Sequence, residues 1–361
     1  MISEVEKNTL TLFYIKEICM KSKNSKVSVA QIGTKHGHAE GVLQVMLEND
    51  DVQVKGVFEP DRNRVEKLKK LDKYPWNQVF FFEHQDQIFL DPTIKAVASE
   101  GQNIESLDQT YEILKSGKHV FYDKPAGDDF DHFLSCIKIA KQKNLYIQMG
   151  YMFRNHDGFT KIAEIISQGK IGKIFQIRAN MSTNLLPEGL NGEIQISKHQ
   201  GGILFDLGGH MIDQIVYFLG RPNKIYSFLR RDISKIKNYS DNTLTVFEFD
   251  KSIATIEINS KTINHMKTRR FEVYGEKGTL ILEPFEPAQF LKVSLNKTNE
   301  SLSLDQEYYF DSIPLSDKPR YVECFDSFIK SIKGLKKPDR NLEHEILVQE
   351  TLLRATKSIQ N

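Results

Sequence analysis

From Lys26 onward the chain alternates short apolar runs with longer stretches of helical periodicity, and no other feature restricts its fold as much. The runs are 27–33 (VSVAQIG), 52–59 (VQVKGVFE), 79–83 (VFFFE), 94–100 (IKAVASE), 118–124 (KHVFYDK) and 145–150 (LYIQMG). Helix-length segments at 38–49, 61–71, 104–116 and 128–143 lie between them. Strands that are apolar nearly throughout need cover on both faces, and strands joined through helices run parallel. Right-handed crossovers then build a doubly wound sheet whose ligands bind outside the carboxyl ends of its strands. The residues that end the runs, Gly33, Glu59, Glu100 and Lys124, are therefore the first to weigh for function.

The second half follows a different rule. KIFQIRANMS, KIYSFLRR, NTLTVFEFD, SIATIEINSK, RRFEVYG and GTLILEP have period two, with Ala254, Ile256 and Ile258 on one face and Thr255, Glu257 and Asn259 on the other. Short turns such as Asp250-Lys251 and Gly275-Glu276-Lys277-Gly278 join them, so the pairing is antiparallel. Helical patterns stand at 157–168, 203–219, 321–333 and 343–358, and 184–200 reads as a loop. The expected organisation is an N-terminal extension over 1–25, an α/β domain over 26–150, and an α+β domain over 151–361 built on an open, mainly antiparallel sheet. Residues 10–20 are broken by Lys16 and Glu17 and read as a short helix or loose arm, not a signal peptide.

Composition removes several classes of function. Lys and Arg number 49 against 48 Asp and Glu, so the basic excess of a nucleic-acid binder is missing. No run reaches the roughly 20 apolar residues of a membrane span. Three widely spaced cysteines, Cys19, Cys136 and Cys324, suggest neither a disulfide framework nor a zinc site, and point to a reduced, cytoplasmic compartment.

Three local constellations carry chemistry. The first is Gly33-Thr34-Lys35-His36-Gly37-His38 between strand and helix, followed by Glu59 at the end of the second strand. A glycine turn, a helix N-terminus for a pyrophosphate and an acid for ribose hydroxyls make up the dinucleotide-binding plan. Against G-x-G-x-x-G only Gly33 fits, and on these residues alone a βα turn without a nucleotide is an equal reading. The second is Asp123-Lys124-Pro125 at the end of the fifth strand, where the ammonium either holds a substrate oxygen or is a surface charge. The third is Gly201-Gly202-x-x-x-Asp206-x-Gly208-Gly209-His210-x-x-Asp213. In a helix over 203–219, Asp206, His210 and Asp213 share a face. The two interior glycines cost about 1 kcal/mol each unless a ligand or backbone needs the space. An imidazole beside a carboxylate moves protons near neutral pH, or else cross-links the helix. No third ligand accompanies His36-x-His38 or the Asp206–His210 pair, so no metal is expected.

The three together resemble the Gfo/Idh/MocA superfamily, which includes glucose–fructose oxidoreductase and inositol dehydrogenase. The resemblance runs from about residue 26 to the C-terminus. Its carriers are Gly117 to Pro125 (G-K-H-V-x-x-[ED]-K-P), Gly150 to Arg154 (G-Y-x-x-R) and Gly201 to Asp213. It implies a Rossmann domain and NAD, with NADP as the alternative, held by Gly33, Thr34, Lys35, His36, Gly37, Glu59, Glu100, Asn103 and Lys124. It implies Lys124, Asp206 and His210 as catalytic residues, with Tyr151 and Arg154 beside them at the substrate. The loop 184–200 before the helix adds His199 as a candidate for substrate specificity, or equally a solvated loop residue. The sequence departs from the family at the cofactor edge: the usual A-T-P-N is Glu100-Gly101-Gln102-Asn103, and the glycine fingerprint is GTKHGHA.

The expected activity is hydride transfer between the nicotinamide and a ring hydroxyl of a sugar, sugar derivative or cyclitol. Two alternatives stand beside it: an NAD-retaining glycosidase or lyase without net redox, and a non-catalytic sugar or NAD sensor. A carbohydrate or polyol ligand, no nucleic acid, no membrane, and a homodimer or homotetramer complete the expectation.

Overall fold

The computed structural model describes residues 25–185, 189–296, 308–316 and 319–360. Apart from Ser25, the N-terminal extension with Cys19 lies outside the described residues. The chain divides into two compact units: Met1–Asp123, Ser135–Gly150 and Tyr321–Arg340 form the first, and Lys124–Leu134, Tyr151–Arg320 and Asn341–Asn361 the second. A linear division at 150/151 is thus crossed twice.

In the first unit, six parallel strands stand in the order β3-β2-β1-β4-β5-β6. They are β1 (Val27–Ile32), β2 (Val52–Phe58), β3 (Phe81–Phe82), β4 (Ala96–Ser99), β5 (His119–Tyr122) and β6 (Ile147–Met149). The order reverses between β1 and β4, the switch point where ligands of such sheets bind. Helix Ala39–Glu48 covers the sheet with Ala39, Val42, Leu43, Val45 and Met46, an i, i+3, i+4 stripe. Helix Val322–Ile332 belongs here despite its position late in the chain. Its Phe325 and Phe328 rings meet Phe121 of β5 at 5.3 and 5.9 Å between centroids. Burying each such ring is worth about 1.5–3 kcal/mol, enough to recruit a helix that sequence order assigns elsewhere.

The second unit holds an eight-stranded sheet in the order β14-β13-β12-β11-β7-β10-β9-β8. Its strands are β7 (Ile174–Asn180), β8 (Lys224–Arg230), β9 (Asn242–Glu248), β10 (Ile253–Asn259), β11 (Arg270–Gly275), β12 (Gly278–Leu282), β13 (Phe290–Asn296) and β14 (Tyr308–Pro314). Every pair is antiparallel except β7 with β10, where Ile253 stands against Gln176 in parallel register. Period two holds: Ala254, Ile256 and Ile258 are buried together with Ile177, Phe247, Phe271 and Val273. Helix Ile203–Leu219 packs over this inner face, against β10 and helix Leu342–Ala355. The opposite face leaves Tyr226, Phe228, Leu244 and Ile253 exposed. The stretch 184–200, read as a loop, contains helix Gly189–Ile196. That correction has a physical cause. Two glycines and an asparagine hide the helical pattern, and the turn is held through buried Glu193, which takes bonds from Lys261 and Ser234.

Candidate functional site

At the end of β1 the chain turns at Gly33 with φ of +87°, a conformation that favours glycine. A Cβ there would stand 2.4 Å from the Gly101 nitrogen and 2.6 Å from the Glu100 carbonyl carbon, so the turn lies directly on the end of β4. Helix Ala39–Glu48 starts five residues beyond Thr34, and a helix N-terminus is the usual anion end of a dinucleotide cradle. Glu59 is buried just past β2. Its Oε2 accepts from Thr34 N (2.9 Å) and Thr34 Oγ1 (2.7 Å), and Oε1 accepts from Asp61 N (3.0 Å). The acid therefore holds the glycine turn in shape as well as lending it negative charge. Arg64 donates to Thr34 Oγ1 and to the Thr34 carbonyl, while Arg62 turns away to the Glu83 carbonyl. Lys35 leans toward Asp61, 3.9 Å from its carboxylate. Asn103 opens helix Asn103–Lys115, whose start is fixed by a capping box between Gln102 and Glu105. A strand, a positive-φ glycine, a helix N-terminus and a buried acid at the second strand's end fit a dinucleotide.

The departures from the usual fingerprint converge on one spot. His36 Nδ1 and His38 Nδ1 each lie 2.8 Å from Asp123 Oδ2, and His36 Nδ1 is 3.7 Å from Glu100 Oε2. Desolvation opposes ionisation of Asp123, yet the two imidazoles outweigh it and hold the carboxyl well below its ordinary range. Burial pushes Glu100 well above its ordinary value, and the charge of Asp123 adds to that push. The sequence reading missed Asp123 here, because it contributes through a fold contact with residues 85 and 87 positions earlier.

In the second unit, the sequence-selected residues gather around helix Ile203–Leu219. The entry to that helix depends on glycine: Gly201 (φ +90°) lies against Thr356 and Gly202 (φ +54°) against the Ser240 backbone, each with a would-be Cβ contact under 2.7 Å. Lys124 is buried, and its Nζ donates to the Asp206 carbonyl at 2.8 Å with Asp206 Oδ1 at 3.8 Å. One turn further along the helix, buried His210 meets the rings of Tyr151 (5.8 Å) and Phe153 (5.3 Å) edge-on. The cost of Gly209 has an explanation other than a ligand or a backbone: a Cβ there would stand 2.9 Å from the Tyr151 ring. His199 stacks on Phe205 at 4.5 Å and pairs through Nδ1 with Asp128 at 2.8 Å. That bond is the main reason the Asp128 carboxyl lies below its ordinary value. Tyr239, which the sequence did not single out, is buried nearby. Desolvation raises its phenol pKa, and the charge of Asp206 adds to this.

Arg154 and Asp213 occupy different surroundings from the ones the motifs suggest. Both side chains are fully buried. The guanidinium donates to Asp213 Oδ1 (3.0 and 2.7 Å) and to both oxygens of Glu345 (2.6 and 2.8 Å), and it stacks over Tyr151 at 5.0 Å. His344 Nε2 also meets Asp213 Oδ1 at 2.9 Å. With its donors shared between two buried carboxylates, Arg154 supports the shelf under Tyr151 and His210 from the interior, and is not an open donor for substrate.

Comparison with known proteins fits this geometry. Residues 27–151 match the model of the oxidoreductase family with an NAD-binding Rossmann fold, and residues 159–281 match the GFO/IDH/MocA C-terminal domain. The chain belongs to the Gfo/Idh/MocA oxidoreductases. Among relatives of this Gfo/Idh/MocA protein is the myo-inositol 2-dehydrogenase of Thermotoga maritima, 23% identical over 86% of this chain and 88% of that protein. Another is the dTDP-3,4-didehydro-2,6-dideoxy-alpha-D-glucose 3-reductase of Actinomadura kijaniata, 29% identical over 68% of this chain and 70% of its own. The solved structure of UDP-N-acetylglucosamine 3-dehydrogenase from Acidithiobacillus ferrooxidans shares the fold with a TM-score of 0.73. It is 13% identical and covers 92% of this chain and 97% of its own. The family's first domain binds NAD, and no helix among the described residues is long and apolar enough to cross a membrane.

Proposed function

We propose that this oxidoreductase oxidises a secondary hydroxyl of a sugar, sugar derivative or cyclitol with NAD, or runs the reverse reduction. The observation that carries the reading is the buried Lys124 ammonium on Asp206, with His210 one turn away on the same helix. The nicotinamide, when bound, supplies the hydride acceptor. The rest is acid–base and positioning chemistry of this chain. Lys124 holds the reacting oxygen, His210 takes the hydroxyl proton, and Asp206 supports both by charge. Helix Gly189–Ile196 and the His199–Asp128 pair supply specificity for the remaining hydroxyls. A panel of polyols and sugars, followed by the change in NAD absorbance, tests the reading. Failure of every member of the panel in both directions would overturn it.

Glu59 directs cofactor choice. Its buried carboxylate favours free ribose hydroxyls and repels a 2′-phosphate. NAD should therefore bind more tightly than NADP in a direct titration of the two nucleotides. Tighter NADP would instead make Arg64, beside Thr34, the phosphate partner.

The outer face of the eight-stranded sheet is the surface for a second copy. Phe228 and Leu244 stand opposite each other on β8 and β9, Tyr226 and Ile253 lie on the same face of β8 and β10, and so much exposed apolar side chain on one sheet face calls for cover. A homodimer, or a tetramer built from dimers, should appear by light scattering at micromolar concentration. The pair Phe228→Glu and Leu244→Glu should give monomers with unchanged secondary structure, and a monomeric parent would count against the interface.

A further inference from the structure

Two histidines, an aspartate and a glutamate meet at the carboxyl edge of the parallel sheet, where β1, β4 and β5 end. His36 and His38 come from the turn after β1, Glu100 follows β4, and Asp123 follows β5. The potential ligand atoms of His36, His38 and Asp123 lie within 4.8 Å of one another. We propose that His36, His38 and Asp123, with Glu100 as fourth ligand, form a binding site for one divalent transition-metal ion, zinc by its ligand set.

Hydrogen bonding alone does not account for these contacts. His36 Nδ1 lies 3.3 Å from the His38 backbone N–H, which donates to it, and 2.8 Å from Asp123 Oδ2. A ring nitrogen that accepts the first bond cannot donate the second, so one of the two contacts sets like against like. A cation between the Nδ1 lone pair and the carboxylate would replace the 2.8 Å contact by two metal bonds and release the His38 N–H from its longer 3.3 Å bond. Glu100 supplies the second, independent observation. Its side chain is completely buried, and neither Oε1 nor Oε2 has a hydrogen-bond partner among the described residues. A buried carboxylate without a partner is costly, and Oε2 points toward His36 at 3.7 Å.

The frame holds these side chains in place. His36 N donates to the Glu100 carbonyl at 3.2 Å, and the close approach of Gly33 to Gly101 fixes the turn against β4. Gly150 makes room for the aspartate, since a Cβ there would stand 2.9 Å from Asp123 Oδ1. The His38 ring packs on Tyr321 at 5.2 Å.

Two imidazoles and two carboxylates are a familiar set for zinc and its first-row neighbours, with bonds of about 2.0–2.2 Å. Tetrahedral capture at those lengths needs ligand atoms roughly 3.3 Å apart, so each 2.8 Å contact opens by about 0.5 Å, within the reach of side-chain torsions. The bound ion would also offset the charge of two carboxylates at the edge where a dinucleotide brings its pyrophosphate.

The test is equilibrium dialysis of the untagged full-length chain, stripped with a chelator, against Zn²⁺. One equivalent should bind, in competition with a chelator of known affinity. His36→Ala and His38→Gln should each weaken binding by more than about 100-fold, beyond the range reached by losing a supporting hydrogen bond. Thermal melting of both variants checks that the fold survives, and the second substitution keeps the side chain's bulk. Absence of stoichiometric binding would overturn the site, as would full affinity in both variants. Turnover does not enter the assay, so its failure leaves the oxidoreductase reading untouched.

Discussion

His210→Gln should lower turnover by two to four powers of ten with the true substrate, while NAD binding stays near that of the parent. That range is the usual contribution of a positioned acid–base group, equal to about 2.7–5.5 kcal/mol on the barrier. Glutamine is chosen because His210 is buried among Tyr151 and Phe153, and a smaller side chain would add a cavity cost to the chemical one. Binding should survive because the glycine turn, Glu59 and the helix N-terminus all belong to the first unit. Lys124→Met keeps the buried stem and removes the charge that meets Asp206, and should cost turnover by a similar factor. Single-turnover rates and nucleotide titrations on the same samples separate the two roles. Near-normal turnover in His210→Gln would transfer the proton to Lys124 and overturn the assignment.

Local rules made most of this legible in advance. The strand-then-helix alternation of the first half, the helix over 203–219 and the period-two sheet all follow from spacing, which is a property of neighbours in sequence. Where the reading stopped, long-range contact decided the outcome. Gly209 looked like room for a ligand, yet its space belongs to Tyr151, 58 positions earlier. Helix Val322–Ile332 looked like part of the second domain until Phe325 and Phe328 found Phe121. His36-x-His38 stood without a third partner in the sequence because Asp123, just past β5, follows His38 by 85 positions. Asp213 showed the correct face of its helix, but nothing local disclosed that the face at that height meets Arg154.

That last contact leads to the largest stability effect expected in the molecule. Asp213 is completely buried with Arg154, and His344 and Gln214 also reach its carboxylate. Desolvation works against its ionisation, but Arg154 first and His344 next outweigh that and hold the carboxyl far below its ordinary value. Arg154 likewise keeps its charge against desolvation through Asp213 and Glu345. Removing one partner leaves a buried charge without compensation, which typically costs 3–5 kcal/mol. Asp213→Asn should therefore destabilise the protein by roughly that amount at neutral pH, read as a lower urea midpoint. Arg154→Met should cost as much or more, since it strands two carboxylates. The sign of the pH dependence follows from the depressed carboxyl. An acid whose pKa is lower in the folded state binds fewer protons there, so its stabilisation is full above the ordinary carboxylate range and fades as pH falls. The gap between parent and Asp213→Asn should narrow steadily on acidification. A gap that stays constant from neutral pH down to the limit of folding would mean that Asp213 contributes through packing and hydrogen bonds alone, and not through its charge.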